Sequence, residues 1–254
     1  MERRTPIIRV KQFTAAYDGV VLLNDLSFDV YGGEVFVILG GSGCGKSTML
    51  KHMIGLYQPA AGAILIDGED IVTAQGPGRL AILKKIGVMY QQGALFGSMT
   101  LLENVRLPLE EYTDLPNDAI DHIALMKLQV VGLGAAALKL PDEISGGMRK
   151  RAAIARAMAL DPQVLFLDEP SAGLDPITSA ELDRLIVSLS RNLSITFVVV
   201  THELPSIYTI ADRVIMLDKR VKAIVAEGQP QQLRDHSENA WARQFFNRDA
   251  TAVA

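Results

Sequence analysis

Gly40-Gly41-Ser42-Gly43-Cys44-Gly45-Lys46-Ser47 places glycines, a lysine and a serine in the spacing G-x-x-x-x-G-K-[ST]. Glycines let the backbone curl until its N–H groups converge on an anion. The helix that Ser47 and Thr48 open adds about half a positive charge at its N-terminus. This is the chemistry of a triphosphate site, comprising Gly40, Ser42, Gly43, Cys44, Gly45, Lys46, Ser47 and Thr48. Lys46 reaches the β- and γ-phosphates, and the Ser47 hydroxyl ligates Mg2+. A second group, Asp168-Glu169, closes the apolar run Val164-Leu165-Phe166-Leu167. There Asp168 can hold Mg2+ and Glu169 can polarise a water attacking the γ-phosphate, provided the two acids sit in different environments. A third group, Ser145-Gly146-Gly147-Met148, combines a good helix N-cap with glycines that leave backbone N–H groups approachable. Arg149, Lys150 and Arg151, just beyond, read as a solvated face. The fourth is a lone His202 past the apolar run Ile195 to Val200.

These residues need elements to hold them. Val35 to Leu39 reads as a buried parallel strand feeding the glycine loop, with a helix after it. Ile7 to Phe13, Val20 to Val30, Ala63 to Ile66 and Ile86 to Tyr90 read as further strands, punctuated by Gly32-Gly33, Asp67-Gly68 and Gln91-Gln92-Gly93. From Leu101 to Leu160 the pattern is helical: Leu101 to Leu109 stopped near Pro108, an amphipathic piece from Asn117 to Val131, and a long helix over Met148 to Leu160. Strand and helix then alternate: Val164 to Leu167, Ile177 to Leu189, Ile195 to Val200, Glu203 to Ala211 and Arg213 to Leu217. That alternation predicts an α/β fold with a mostly parallel, helix-covered sheet, split by a helical insertion. The tail Asn239 to Asn247 reads as a short helix packing on its own subunit.

Composition narrows the function classes. At 254 residues the chain can bury a full α/β core. A net charge of −4 supplies no basic field for nucleic acid or anionic lipid. A single cysteine, Cys44, forbids an internal disulfide and suits a reducing compartment; within the glycine loop it serves packing. No apolar run approaches the ~20 residues that span a bilayer. Met1-Glu2-Arg3-Arg4 has no apolar stretch behind it, so no secretory signal is expected. The chain reads as soluble and cytoplasmic, with any membrane role exercised through a partner.

Over nearly its whole length the chain resembles the ATP-binding subunits of ATP-binding-cassette (ABC) transporters. The resemblance rests on the phosphate loop Gly40 to Ser47, the signature Ile144-Ser145-Gly146-Gly147-Met148 and the acidic strand end Asp168-Glu169-Pro170. It extends to the loop Ser171-Ala172-Gly173-Leu174-Asp175 and to His202. It implies a P-loop NTPase core with an N-terminal antiparallel β subdomain and a helical insertion. Residues 1–90 and 161–235 would form the core, 91–160 the helical subdomain and 236–254 a tail, all within one domain. The lid glutamine is Gln91 or Gln92, with Gln91 better placed directly after its strand; it would join Ser47 and Asp168 at the metal. Tyr17 would stack on adenine, and His202 would touch the γ-phosphate. Two copies would close head to tail, Ser145, Gly146 and Gly147 of one sealing ATP and Mg2+ on the other, with Asp175 at the contact. Met148 stands where a glutamine is usual.

Finer matches are to the ATPases of Mce-linked phospholipid transporters, of the maintenance-of-lipid-asymmetry type. They are Gln91-Gln92-Gly93-Ala94-Leu95-Phe96, Glu103-Asn104-Val105, Ser145 to Arg151 (including Met148) and Gly173 to Thr178. That branch implies a permease dimer, an Mce-domain protein and a STAS-domain regulator, a seat on the cytoplasmic face of the inner membrane, and a tail that reaches the neighbouring ATPase. The competing expectation is an importer ATPase for an amino acid or a metal. A soluble ABC protein acting on DNA or ribosomes fits less well, because tandem cassettes and a long heptad insertion are missing. A non-catalytic clamp is disfavoured by Lys46, Asp168, Glu169 and His202 together.

Overall fold

The computed structural model describes residues 5–248. The signal reading on Met1 to Arg4 and residues 249–254 of the expected tail lie outside them. The chain opens with β1 (Pro6–Tyr17) and β2 (Val20–Tyr31), an antiparallel pair. Asp18 and Gly19 join them, with φ 49° and 77°, the left-handed two-residue turn that matches strand twist. With β4 (Ala61–Ile66) and β5 (Glu69–Asp70) they form a four-stranded sheet in the order β2-β1-β4-β5. The expected antiparallel subdomain is present, and its strands outrun the sequence reading.

The main sheet has the order β10-β9-β3-β8-β7-β6, from β3 (Val35–Gly40), β6 (Ile86–Met89), β7 (Val164–Asp168), β8 (Thr196–Val200), β9 (Arg213–Asp218) and β10 (Ala223–Gly228). Every pairing from β9 through β6 is parallel; only β10 runs antiparallel. The strands are apolar on both faces because both faces are covered. Val35, Val37 and Leu39 join Leu165, Leu167, Phe197, Val199, Val214 and Met216 in the core facing the helices. Phe36 and Ile38, with Phe166, Val198, Val200, Ile215 and Leu217, share a second core with the four-stranded sheet and with α1 (Lys46–Met53). The period-two alternation of a strand thus divides two cores rather than core from solvent.

Between β6 and β7 lie α3 (Leu101–Tyr112), α4 (Asn117–Val130) and α5 (Gly146–Ala157), packed on one another. Pro108 does not stop the first of these: α3 runs on to Tyr112. Proline removes one N–H and strains the preceding turn. A Thr100–Glu103 capping box and the buried face Leu101, Val105, Leu109 hold the helix despite it. The α5 helix begins at Gly146 rather than Met148 and ends at Ala157. Helix α2 (Gly76–Lys84), strand β10 and helix α8 (Pro230–His236) escaped the sequence reading. Helices α6 (Pro176–Leu193) and α7 (Leu204–Ile210) match it within a few residues. The tail helix α9 (Ala240–Asn247) packs on its own subunit, burying Ala242 and Phe246, with the Tyr208 hydroxyl donating to the Phe246 carbonyl at 2.9 Å.

Candidate active site

Strands β3, β8, β7 and β6 lie side by side and parallel, so their C-termini open on one edge, where ligands of open α/β sheets gather. β3 delivers the glycine loop there, β7 Asp168 and Glu169, β8 His202, and β6 the loop with Gln91. The glycine loop ends at Gly45, whose φ of 100° and 2.8 Å hypothetical Cβ contact with Leu23 Cδ2 exclude a side chain. No side chain caps α1, so its first-turn N–H groups are left for an anion. Lys46 lies back on the loop, its ammonium donating to the carbonyls of Gly40 at 2.9 Å and Gly41 at 3.2 Å. Cys44 is buried, and that burial pushes its thiol above its usual range, against the lowering effect of the Lys46 charge. Behind the loop, Trp241 of α9 lines a cavity of about 430 Å³ with Gly41, Ser42 and Arg220.

Ser47 Oγ donates to Asp168 Oδ1 at 3.3 Å, bringing two hard oxygen donors together. Burial raises the Asp168 carboxyl above its usual range; the Ser47 hydrogen bond opposes this, the Glu169 charge adds to it, and Lys51 and Lys46 oppose it. Hydroxyl and carboxylate oxygens are donors that Mg2+ accepts, and Gln91 lies exposed on the loop after the neighbouring strand. Among the described residues no three His, Cys, Asp or Glu side chains form a metal cluster.

Glu169 is the most constrained residue of the edge. Its φ of 46° lies in the left-handed region, disfavoured for a residue with a side chain, and its N–H is pinned to the Val200 carbonyl at 2.8 Å. Oε1 pairs with His202 Nδ1 at 2.8 Å, while Oε2 is buried with no hydrogen-bond partner among the described residues. A buried acceptor left open at a strand end is the feature a water-activating carboxylate needs.

Other predicted residues stand apart from this cluster. Ser145 is exposed, and its hydroxyl caps its own helix by accepting from Met148 N–H at 3.3 Å. Gly146 is exposed beside it, but Gly147 is buried, which corrects the reading of both glycines as approachable backbone. A Cβ on Gly147 would come within 2.3 Å of Thr178 Cγ2. Thr178 is held by Asp175, which accepts its hydroxyl at 2.6 Å while capping α6 through Ile177 and Thr178 N–H. Gly147→Ala should therefore cost about 1–3 kcal/mol in thermal unfolding. Adding Thr178→Ser, which removes the methyl and keeps the hydroxyl, should restore most of it.

Tyr17 ends β1, its ring 6.4 Å edge-on to His52 and 5.7 Å to Tyr57. His52, given no role in the sequence reading, hydrogen-bonds the Thr48 carbonyl through Nδ1 at 2.8 Å, and burial lowers its basicity. Lys150 was misread. It is not on a solvated face but buried, its ammonium donating to the Gln91 carbonyl and, at 3.4 Å, to that of Glu169. The signal was present: Gly147, Lys150 and Ile154 recur at helical spacing on the buried face of α5.

The profile of the ABC transporter family matches residues 23–172. The chain is 43% identical over 240 residues to a probable ribonucleotide transport ATP-binding protein, mkl, of Mycobacterium leprae, covering 94% of this chain and 68% of that one. It is 41% identical over 228 residues to the intermembrane phospholipid transport system ATP-binding protein MlaF of Haemophilus influenzae, covering 89% of this chain and 85% of that one. Among solved structures, cbiO1 of Clostridium perfringens, part of the transporter complex cbiONQ, superposes with a TM-score of 0.83 at 30% identity over 92% of both chains. The dimeric post-hydrolysis cassette MJ0796, bound to ADP and Pi, superposes with a TM-score of 0.78 at 30% identity, covering 87% of this chain and 98% of that one.

Proposed function

The chain belongs to the ABC transporter family and is an ATPase of that family, and from this premise we propose that it powers phospholipid movement across a bacterial envelope with an Mce-type system. The observation that carries the lipid reading is the 41% identity to MlaF over 89% of this chain. Residues 1–90 and 161–235 act as the catalytic core, 91–160 as the helical subdomain and 236–254 as the tail.

The chemistry follows from the edge just described. Tyr17 stacks on adenine. The uncapped start of α1 and the N–H groups of Gly40 to Thr48 bind the phosphates, and Lys46 exchanges two carbonyls for β- and γ-phosphate oxygens. Ser47, Asp168 and Gln91 would hold Mg2+, which would offset charge on the phosphoryl oxygens. The open Oε2 of Glu169 takes the water's proton while orienting it in line with the γ-phosphorus. His202, already on Oε1, steadies the departing phosphoryl group. Ser145 and the exposed Gly146 of a second copy complete the site, so binding drives closure and hydrolysis releases it.

Among the described residues no helix is long and apolar enough to cross a membrane. Attachment to the cytoplasmic face of the inner membrane runs through a permease dimer. A groove of about 300 Å³ lined by Leu56, Leu80, Leu83 and Tyr112 suits an apolar helix of that partner. A STAS-domain protein completes the assembly as regulator. The test is co-purification followed by ATPase assay of the complex. An Mce-domain protein should co-purify, and phospholipid should stimulate turnover. A solute-binding lipoprotein in its place, or stimulation by ribonucleotides alone, would overturn the lipid reading.

A further inference from the structure

Lys150 has no part in the chemistry above, yet it is a buried charge beside it. It sits on α5, the helix headed by Ser145, and only 7% of it is exposed. Its ammonium is shared between two backbone carbonyls of different elements: Gln91, on the loop after β6, and Glu169, at the end of β7. The loop is held by the same helix at two more points, since Arg156 donates to the carbonyls of Gly93 at 2.9 Å and Ala94 at 2.7 Å. Gly93 itself lies against α5, where an added Cβ would be 3.3 Å from Ala153 Cβ.

Burying a lysine is costly unless its charge is compensated. Burial does push the Lys150 ammonium below its usual range, and the carboxylates of Asp168, Glu169 and Glu203 oppose that shift. A cation in this position therefore balances the acidic strand end as well as bonding to it. A glutamine or methionine would fill the space without supplying that charge.

We propose that Lys150 is a positioning residue. It ties the Gln91 loop to the Glu169 backbone, so that the metal-side glutamine and the water-activating glutamate keep one fixed separation and both follow α5 when the helical subdomain moves. This rests on the roles given to Gln91 and Glu169 above. The Lys150 bond adds to the contacts that hold the left-handed φ of Glu169: its N–H is fixed by Val200, and its carbonyl accepts from Ala172 N–H at 3.2 Å and from Lys150 at 3.4 Å.

The test uses the full chain with Lys150→Met, which keeps length and removes the donor, and Lys150→Arg, which keeps a cationic donor. Misplacement of reacting groups by about 1 Å costs up to about 10²-fold. Lys150→Met should lower kcat about tenfold or more at unchanged KM and unchanged nucleotide affinity. Backbone amides of 91–94 should exchange hydrogen faster while those of α5 stay protected, and Lys150→Arg should recover much of both. Wild-type kcat and wild-type exchange in Lys150→Met would overturn the proposal. So would equal loss of affinity, kcat and melting temperature in both variants, which marks a merely structural lysine. Glu169→Gln assayed alongside separates the two ideas. If that variant stays active, the Glu169 assignment fails, and the exchange of 91–94 still decides the role of Lys150.

Discussion

Replacing Glu169 by Gln should leave ATP binding intact and cut turnover by about 10²–10⁴-fold, the scale on which a general base acts. Gln keeps the shape and can still meet His202, so the fold and the strained backbone should survive. What it loses is the basicity of the buried, unpartnered Oε2. The measurement is steady-state hydrolysis with the permease present, beside nucleotide affinity by calorimetry. Near-normal hydrolysis would remove Glu169 from the reaction. Because binding persists while splitting does not, the same variant should accumulate as a nucleotide-loaded dimer, visible by light scattering.

Lys46→Ala should act one step earlier, on binding itself. Hydrogen bonds to a charged group contribute about 1.5–3 kcal/mol each. Losing those of Lys46 to the β- and γ-phosphates should weaken ATP affinity on the order of 10²-fold or more, and ADP, with no γ-phosphate, less. The substitution also strips the Gly40 and Gly41 carbonyls of the ammonium they share. Gly40 is buried and Gly41 half-buried, so water replaces the ammonium poorly at Gly40 and the melting temperature should fall as well. Unchanged affinity would refute the phosphate-loop role.

Much of this site was legible in the chain because its chemistry is local. The glycine loop, the acidic strand end and the capped glycine helix each occupy a few consecutive residues, and each follows or opens an element whose periodicity is plain. What was hidden depends on contacts between distant segments. Lys150 looks like a surface charge between two arginines until α5 is laid against the Gln91 loop. Gly147 looks like a ligand-facing glycine until α6 brings Thr178 beneath it. Pro108 looks like a stop signal because its local cost is evident and the packing of α3 that offsets it is not. Strand β10 and helix α8 have too weak an apolar rhythm to announce themselves: no residue of β10 is fully buried, and α8 buries only Pro230 and Leu233.

The hydroxyl at the head of α5 has a division of labour that constrains what evolution can place there. One lone pair is committed inward, to the amide of Met148, which leaves its single, rotatable proton free to donate to an anion. Aspartate or asparagine would cap the helix as well as serine does. Aspartate, however, would present a negative charge to an incoming anion, and either would be bulkier at this exposed helix start. Only an alcohol satisfies its own helix and greets an anion with the same atom.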